Sequence, residues 1–274
     1  MIILLKISLF MNLKNKIIWI TGASSGIGKS LAIALSKLDT KLILSSRNES
    51  TLNEVKTLCE NPETIKILPL DLEDFSKFDK TVSEAISFFG KIDILVNNGG
   101  ISQRSLAIDT TIEVDKLIMD INYTGTVALS KALLPHFISN NSGHYVITTS
   151  VVGKVATPLR SSYSASKHAL HGFFDSLRAE THKHNIDVTL VCPGYVKTNV
   201  SMNALTGNGT KQNSMDTATK NGIPADVFSK RMIRAIKKRK KEVVIGGFKE
   251  TGSVYLKRFF PSILAKLVRK VNVT

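Results

Sequence analysis

The chain has 274 residues, of which 22% are charged and 43% are hydrophobic, proportions typical of an ordinary globular protein. They exclude an intrinsically disordered chain, and the length suits one large core or at most two small ones. The net charge is +15, but residues 230–274 carry 14 Lys and Arg against two acidic residues, so +12 of it lies there. The body of the protein is therefore close to neutral.

The N-terminal residues and the cysteines bear on location. The first ten residues are apolar, but they are too short for a membrane span, a lysine interrupts them, and no small-residue cleavage site follows. We interpret residues 1–12 as an N-terminal extension, with Met11 as an alternative start. Cys59 and Cys192 each lie within or beside an apolar segment, which predicts no disulfide and a cytoplasmic protein.

Apolar, β-branched runs alternate with longer amphipathic stretches from residue 16 onward. This pattern predicts strands at 17–20, 42–44, 65–70, 92–96, 145–149, 188–191 and 243–245, and helices at 27–38, 52–58, 75–89, 114–137 and 163–181. Continuous apolar strands separated by helices are typical of a parallel sheet that is covered on both faces. We therefore expect an α/β fold: one doubly wound, Rossmann-type domain over residues 13–252 with a seven-stranded parallel sheet. The polar residues 199–222 are predicted to form a mobile lid over the substrate.

A glycine-rich turn follows the first predicted strand and opens the first predicted helix. It contains Gly22, Ser24, Ser25, Gly26, Ile27 and Gly28. Glycines at such a turn allow the backbone to approach a pyrophosphate, which then lies against the N–H groups of the helix N-terminus. The placement between strand and helix favours dinucleotide binding over a plain tight turn.

Further polar residues follow the carboxyl ends of the next three strands, the edge at which open α/β sheets bind ligands. Arg47 ends the second strand, where a guanidinium suits the 2′-phosphate of NADP better than the ribose of NAD, although it could be an ordinary surface arginine. Asp71 and Leu72 follow the third strand, and Asn98 and Gly99 follow the fourth. Each pair alone could be only a turn.

Tyr163 and Lys167 are spaced i and i+4 on a predicted helix, so that both side chains point to one side. A nearby ammonium favours the phenolate and moves the tyrosine toward the working range of a general acid or base. Ser150, at the end of the fifth strand, could donate a hydrogen bond to a carbonyl oxygen. Asn122 falls in the middle of a predicted helix, where an amide could break the helix and hold a water. Each residue could instead lie on a solvated surface.

Taken together, these motifs resemble those of the short-chain dehydrogenase/reductase family, in the same order and spacing from about residue 13 to residue 247. The resemblance implies that Tyr163 is the catalytic acid or base and that Ser150 positions the substrate oxygen. It also implies that Lys167 binds the nicotinamide ribose and lowers the pKa of the tyrosine, with Asn122 supporting a proton relay.

The same resemblance implies further contacts and an assembly. Asp71 would meet the adenine, and the nicotinamide amide would be held by Pro193, Gly194, Val196 and Thr198. The strand order would be 3-2-1-4-5-6-7, and the two long helices would form the faces of a homodimer or homotetramer. Gly99 departs from the family's usual alanine, but a smaller residue should not block the cofactor. No metal is expected, because the six histidines show no ligand spacing with an acidic or cysteine partner.

The C-terminal residues 253–274 form a basic amphipathic tail with apolar residues among lysines and arginines. Such a segment can lie on an anionic membrane, but it could also pack on a second subunit or on the substrate cleft, or reflect a lysine-rich composition. Nucleic-acid binding is not expected, because no aromatic–basic interleaving accompanies the charge.

The sequence therefore predicts an oxidoreductase that transfers a hydride between NADP(H), or less favourably NAD(H), and a carbonyl or secondary alcohol that is partly hydrophobic. The expected apolar lining of the lid is Met202, Leu205 and Met215. Two alternatives stay open, namely a catalytically silent NADP-binding sensor and a membrane-surface scaffold.

Overall fold

Seven parallel strands form the central sheet in the computed structural model, which describes residues 10–270. They are β1 (Ile17–Thr21), β2 (Lys41–Ser45), β3 (Ile65–Ile67), β4 (Ile94–Asn97), β5 (Gly143–Thr148), β6 (Ile186–Pro193) and β9 (Glu242–Ile245). Their order is β3-β2-β1-β4-β5-β6-β9. The predicted fold class, strand number and order are confirmed. The short strands β7 (Val196–Lys197) and β8 (Ile223–Pro224) pair separately, beside the lid.

Helices cover both faces of this sheet. They are α1 (Gly26–Ser36), α2 (Glu49–Thr57), α3 (Phe78–Ser87), α4 (Ile112–Met119), α5 (Gly125–Ser139), α6 (Ser161–Thr181), α7 (Thr217–Lys220), α8 (Ala225–Lys237), α9 (Phe248–Phe259) and α10 (Pro261–Val268). Helix α8 was not among the predicted helices.

The side chains of β1 show how the sheet divides the core. Ile18 and Ile20 face the layer of α1 and α8, whereas Ile17 and Trp19 face the layer that contains α5 and α6. All four are buried, and each such side chain stabilises the fold by about 1.5–3 kcal/mol. The Trp19 indole N–H donates to Ser45 Oγ at 2.8 Å, so its burial leaves no unpaired donor.

Two predicted elements differ from the observed ones. The third strand ends at Ile67 instead of residue 70, although the N–H groups of Leu68 and Leu70 still donate to Leu44 O and Ser46 O. Pro69 lies between them, where its nitrogen points to the open edge of the sheet and a missing N–H is tolerated. The predicted helix 114–137 is interrupted by a π-turn, Asp120–Thr124, between α4 and α5. Asn122 lies at the centre of this interruption, as the sequence suggested.

The ends of the chain lie only partly within the described residues. Residues 1–9 of the predicted extension and 271–274 of the predicted tail lie outside them. Met11 N–H donates to Lys237 O at 2.7 Å, which attaches the start of the described chain to α8. Cys59 and Cys192 are both free and buried. Within residues 10–270, every helix is too short or too polar to cross a membrane.

Candidate active site

A cleft of about 660 Å³ opens at the carboxyl edge of the sheet. All but two of the predicted site residues line it, from the ends of strands β1 to β6 and from α6: Gly22, Ser24, Ser25, Gly26, Ile27, Arg47, Asp71, Leu72, Asn98, Gly99, Ser150, Tyr163, Lys167, Pro193, Gly194, Val196 and Thr198. The two exceptions are Gly28 and Asn122, which are buried behind the lining.

The glycine-rich turn has the geometry of an anion cradle. Gly22 and Gly26 have φ values of +62° and +53°, which favour glycine. A Cβ on Gly22 would lie 2.7 Å from Gly99 Cα, so the two backbones meet too closely for side chains. Ser25 is the N-cap of α1, yet its side chain makes no capping hydrogen bond. The first-turn N–H groups are therefore left for an anionic group in the cleft, which fits a dinucleotide pyrophosphate.

Gly28 has a packing role instead of a lining one. A Cβ at this position would lie 2.1 Å from Gly22 O and 2.8 Å from Asn98 Nδ2. Its absence lets α1 begin directly against the turn, which sets the direction in which the helix N-terminus points.

Ser150, Tyr163 and Lys167 converge at one end of the cleft. Ser150 lies two residues after β5, at the start of a short helical turn, and its hydroxyl hydrogen-bonds the phenol of Tyr163 on the first turn of α6. Lys167 lies one turn further along α6, with Nζ 5.8 Å from the centroid of the Tyr163 ring. That ammonium is buried and donates to Thr148 O at 3.0 Å. A hydroxyl, a phenol and an ammonium thus face one reaction volume.

Burial and neighbouring groups shift the pKa values of Tyr163 and Lys167. Burial raises the pKa of the Tyr163 phenol, while the hydrogen bond from Ser150 and the positive charges of Arg160 and Arg104 lower it. Burial lowers the pKa of the Lys167 ammonium to about 8.

Asn122 supports the site from behind the cleft. Its Oδ1 accepts from Ile101 N–H at 2.8 Å, and its Nδ2 donates to Ile101 O at 2.9 Å and to Ser166 Oγ at 3.0 Å. A Cβ on Gly100 would lie 2.8 Å from Asn122 Oδ1 and 3.5 Å from Lys167 Nζ. The amide therefore joins the loop after β4 to α6. The π-turn directs this side chain inward.

Sequence reasoning missed several lining residues. Of the three apolar lid residues expected over the substrate, Leu205 lines the cleft, whereas Met202 and Met215 do not. Met215 points aside and accepts a hydrogen bond from Ser201. The lid contributes polar and apolar groups alike, and the loop after β4 adds three more residues: Asn199, Val200, Asn203, Gly209 and Lys211 from the lid besides Leu205, with Gly100, Ile101 and Ser102 from that loop. No local pattern marks these positions.

One histidine does meet cysteine and acidic side chains, contrary to the sequence expectation. His171 Nε2 lies 3.8 Å from Cys192 Sγ, and its Nδ1 lies 3.5 Å from Glu242 Oε2. Three separate elements bring them together, so no spacing in the sequence shows it. Lys154 Nζ already lies 2.7 Å from Glu242 Oε2, and hydrogen bonding from His171 and Lys154 holds the pKa of Glu242 at about 2. This carboxylate is thus committed to an ion pair.

The parallel sheet, the glycine cradle and the cleft at the strand ends define a Rossmann-type nucleotide-binding oxidoreductase. A family model described as short chain dehydrogenase matches residues 16–209. The chain is 41% identical to dehydrogenase/reductase SDR family member 7B of Xenopus tropicalis, covering 92% of this chain and 84% of that protein. It is 43% identical to a dehydrogenase/reductase SDR family protein 7-like of Anopheles gambiae, covering 96% and 86%.

Solved structures share the fold at lower identity. A short-chain dehydrogenase from Streptomyces avermitilis superposes with a TM-score of 0.79 at 23% identity, covering 96% of this chain and all of that one. A short-chain dehydrogenase/reductase from Burkholderia phymatum in complex with NAD gives a TM-score of 0.80 at 21% identity, covering 96% and 98%. The chain belongs to the short-chain dehydrogenase/reductase family of oxidoreductases.

Proposed function

We propose that this protein transfers a hydride between NADP(H) and a carbonyl or secondary alcohol. The observation that carries the proposal is the convergence of Ser150, Tyr163 and Lys167 at the end of a cleft whose other end is the glycine cradle. A catalytically silent sensor would need the cradle, but it has no use for a phenol, a hydroxyl and an ammonium in one volume.

The residues divide the chemistry between them. The bound nicotinamide supplies or accepts the hydride. Tyr163 gives its phenolic proton to the substrate oxygen in reduction and takes it back in oxidation. Ser150 holds that oxygen through a hydrogen bond as negative charge develops on it. Lys167, buried beside the phenol, binds the nicotinamide ribose, and Asn122 holds the loop against α6 so that protons can be relayed toward Lys167.

The test of this function is turnover on a chemical panel. Purified protein is incubated with NADPH and ketones or aldehydes of increasing apolar size, and the loss of reduced nicotinamide is followed. The proposal expects measurable turnover with partly hydrophobic carbonyls, because the lid offers Leu205 and Val200 beside Asn203 and Lys211. Binding of NADPH without turnover on any carbonyl, or with alcohols and NADP⁺, would favour the sensor instead.

Arg47 is proposed to select NADP over NAD. It lines the adenosine end of the cleft with Ser46 and Asn48, and no acidic residue ends β2 there. We expect Arg47→Ala to weaken NADPH binding roughly tenfold to 100-fold, since a charge-assisted hydrogen bond contributes about 1.5–3 kcal/mol, and to leave NADH binding unchanged. Titration of nicotinamide fluorescence measures both. Arg258→Ala, which removes the same charge far from the cleft, is the control, and equal losses for both cofactors would contradict the assignment.

We further propose that the protein works in the cytoplasm as a homodimer or homotetramer. Two buried, free cysteines suit a reducing compartment. The proposed subunit faces are the helices α4, α5 and α6, and Ile112 and Ile138 are exposed on the first two of them. Light scattering during gel filtration measures the assembly.

The C-terminal helices α9 and α10 are proposed to rest on an anionic membrane. Six large apolar side chains on them are between 51% and 94% exposed: Phe248, Tyr255, Phe259, Phe260, Ile263 and Leu267. The same segment carries six basic residues, and the Lys257 ammonium among them donates to Lys154 O: Lys249, Lys257, Arg258, Lys266, Arg269 and Lys270. Within the described residues, none of these side chains lines the cleft, so the apolar face does not serve as its cover. Apolar groups framed by cations complement acidic headgroups and the acyl chains below them.

We expect the chain to cosediment with vesicles containing phosphatidylserine and not with vesicles of phosphatidylcholine alone. Phe259→Ser with Phe260→Ser should reduce the bound fraction severalfold, because each aromatic ring buries a large apolar area. Phe75→Ser, at another exposed position, is the matched control. Binding that survives the double substitution, or a change of oligomeric state in its place, would show that these helices serve a protein interface.

A further inference from the structure

A buried cluster of three charges lies beside the cleft and has no part in the proposed chemistry. The Asp216 side chain is fully buried, while those of Arg104 and Arg160 are 5% and 3% exposed. Arg104 Nε donates to Asp216 Oδ2 at 2.9 Å, its Nη2 donates to the same oxygen, and Arg160 Nη2 reaches that oxygen at 3.3 Å. One carboxylate oxygen therefore serves two guanidinium groups.

The three residues come from three segments that surround the cleft. Arg104 belongs to the loop after β4, Asp216 ends the long part of the lid as the N-cap of α7, and Arg160 immediately precedes α6. Backbone hydrogen bonds tie the same segments together. Arg104 N–H donates to Leu205 O at 2.8 Å, and Ser105 N–H donates to Leu159 O at 3.1 Å. The lid is thus joined to the loop, and the loop to the start of the catalytic helix.

Both carboxylate oxygens and the backbone N–H of Asp216 are hydrogen-bonded. Its Oδ1 accepts from Gln212 Nε2 at 3.1 Å, and its own N–H donates to Ser201 Oγ at 3.2 Å. Arg160 Nη1 also donates to the Tyr195 hydroxyl at 3.2 Å. A buried ion pair is costly to break, because a single remaining charge would be left without its partner. A fully bonded carboxylate of this kind fixes a segment far more firmly than an exposed salt bridge.

We propose that Asp216 is a positioning residue that latches the lid, residues 199–222, to Arg104 and Arg160, and that the net charge of this latch acts on Tyr163. The first half concerns the lid alone. The second half rests on the proposed function, because it gives the phenol a role in proton transfer.

The surroundings of the phenol support the second half. Arg160 lies three residues before Tyr163 in the chain. Burial raises the pKa of this tyrosine, the hydrogen bond from Ser150 lowers it, and the positive charges of Arg160 and Arg104 lower it further. Among the described residues, Lys167 on α6 lies 5.8 Å from the ring, Asp115 on α4 accepts from the neighbouring Ser162, and Lys211 of the lid lines the same cleft. Two arginines and one aspartate leave the latch with a net positive charge, which favours the phenolate.

The test uses Asp216→Asn, Arg104→Met and the double variant. Hydrogen–deuterium exchange of residues 199–222, with NADPH bound, reports the latch, and we expect at least roughly tenfold faster exchange in all three. Asp226→Asn, which removes a carboxylate from an exposed ion pair with Lys230, is the matched control and should change nothing. Lid exchange that stays at the wild-type rate in the folded variants would overturn the latch.

The charge of the latch is tested by titrating the tyrosinate absorbance, with Tyr163→Phe as the blank, so that no substrate is required. Asp216→Asn should lower the pKa of Tyr163, Arg104→Met should raise it, and the double variant should restore it, because its net charge equals that of the wild type. A merely structural role would shift the titration in one direction or in none. Where turnover is found, the double variant should have a KM above that of the wild type, because its lid is loosened. Its pH profile of turnover should nevertheless match that of the wild type.

Asp216→Asn removes the carboxylate that two buried guanidinium groups share and could unfold, whereas Arg104→Met keeps the ion pair of Arg160 with Asp216. In the double variant one guanidinium stays buried, and it still donates to the Tyr195 hydroxyl. If Asp216→Asn does not fold, Arg104→Met still tests both halves of the proposal. Failure to find any carbonyl substrate would count against the proposed function, yet it would leave the exchange and absorbance results standing. The two failures are therefore distinguishable.

Discussion

Replacing Tyr163 with phenylalanine is expected to reduce turnover by roughly 10²- to 10⁴-fold, the usual contribution of a positioned general acid or base. The ring and its packing are kept, so the cleft should hold NADPH as tightly as before. An end-point assay of NADPH consumption measures the loss of turnover, and titration of NADPH fluorescence measures the cofactor affinity.

Tyr255→Phe is the control for this substitution, since it removes the same hydroxyl from an exposed position on α9. It should leave both turnover and cofactor affinity at wild-type values. Turnover that persists in Tyr163→Phe would mean that another group delivers the proton, and Ser150 and Lys167 would then have to be reassigned as well.

The second large effect is expected at Gly28. An alanine there places its Cβ 2.1 Å from Gly22 O, and a backbone atom cannot rotate away as a side chain can. We expect Gly28→Ala to lower the free energy of unfolding by about 1–3 kcal/mol, as overpacking does. Displacement of α1 from the cradle should also weaken NADPH binding at least roughly tenfold. Thermal unfolding and fluorescence titration measure the two losses.

Gly172 on α6 offers a matched comparison, because nothing lies within 4 Å of a Cβ built there. Gly172→Ala should raise the free energy of unfolding by about 0.4–1 kcal/mol, since the helix conformation suits alanine and the unfolded chain loses freedom. Equal behaviour of the two variants would show that the close contact at Gly28 has no functional consequence.

Much of this architecture can be predicted from the sequence because its causes are local. The strands are continuous apolar runs, and the glycine cradle follows directly from residues adjacent in the chain. Helix α8 was overlooked although its buried residues Phe228, Met232 and Ile236 recur every four positions, so a search for helical periodicity after the lid would have found it.

Other features have causes that no local pattern carries. The latch joins positions 104, 160 and 216, and the group of His171, Cys192 and Glu242 comes from a helix and two strands. Such contacts between residues that are distant in the sequence follow from the order of strands in the sheet and from loop geometry. The direction of Met202 and Met215 is decided likewise by packing within the lid, since hydrophobicity alone says only that a residue prefers burial.

The π-turn at Asp120–Thr124 has a consequence for how this region can vary. The Gly125 N–H donates to Asp120 O, five residues back, so this turn accommodates one residue more than a regular α-helical turn. Removing a single residue here would let α4 and α5 join as one regular helix, and the later side chains of α5 would keep their face toward the core because the widened turn had absorbed the extra residue. What would change is the turn itself, and with it the position from which Asn122 reaches Ile101 and Ser166. A one-residue deletion in this segment should therefore disturb the link between the loop after β4 and α6 before it disturbs the packing of α5.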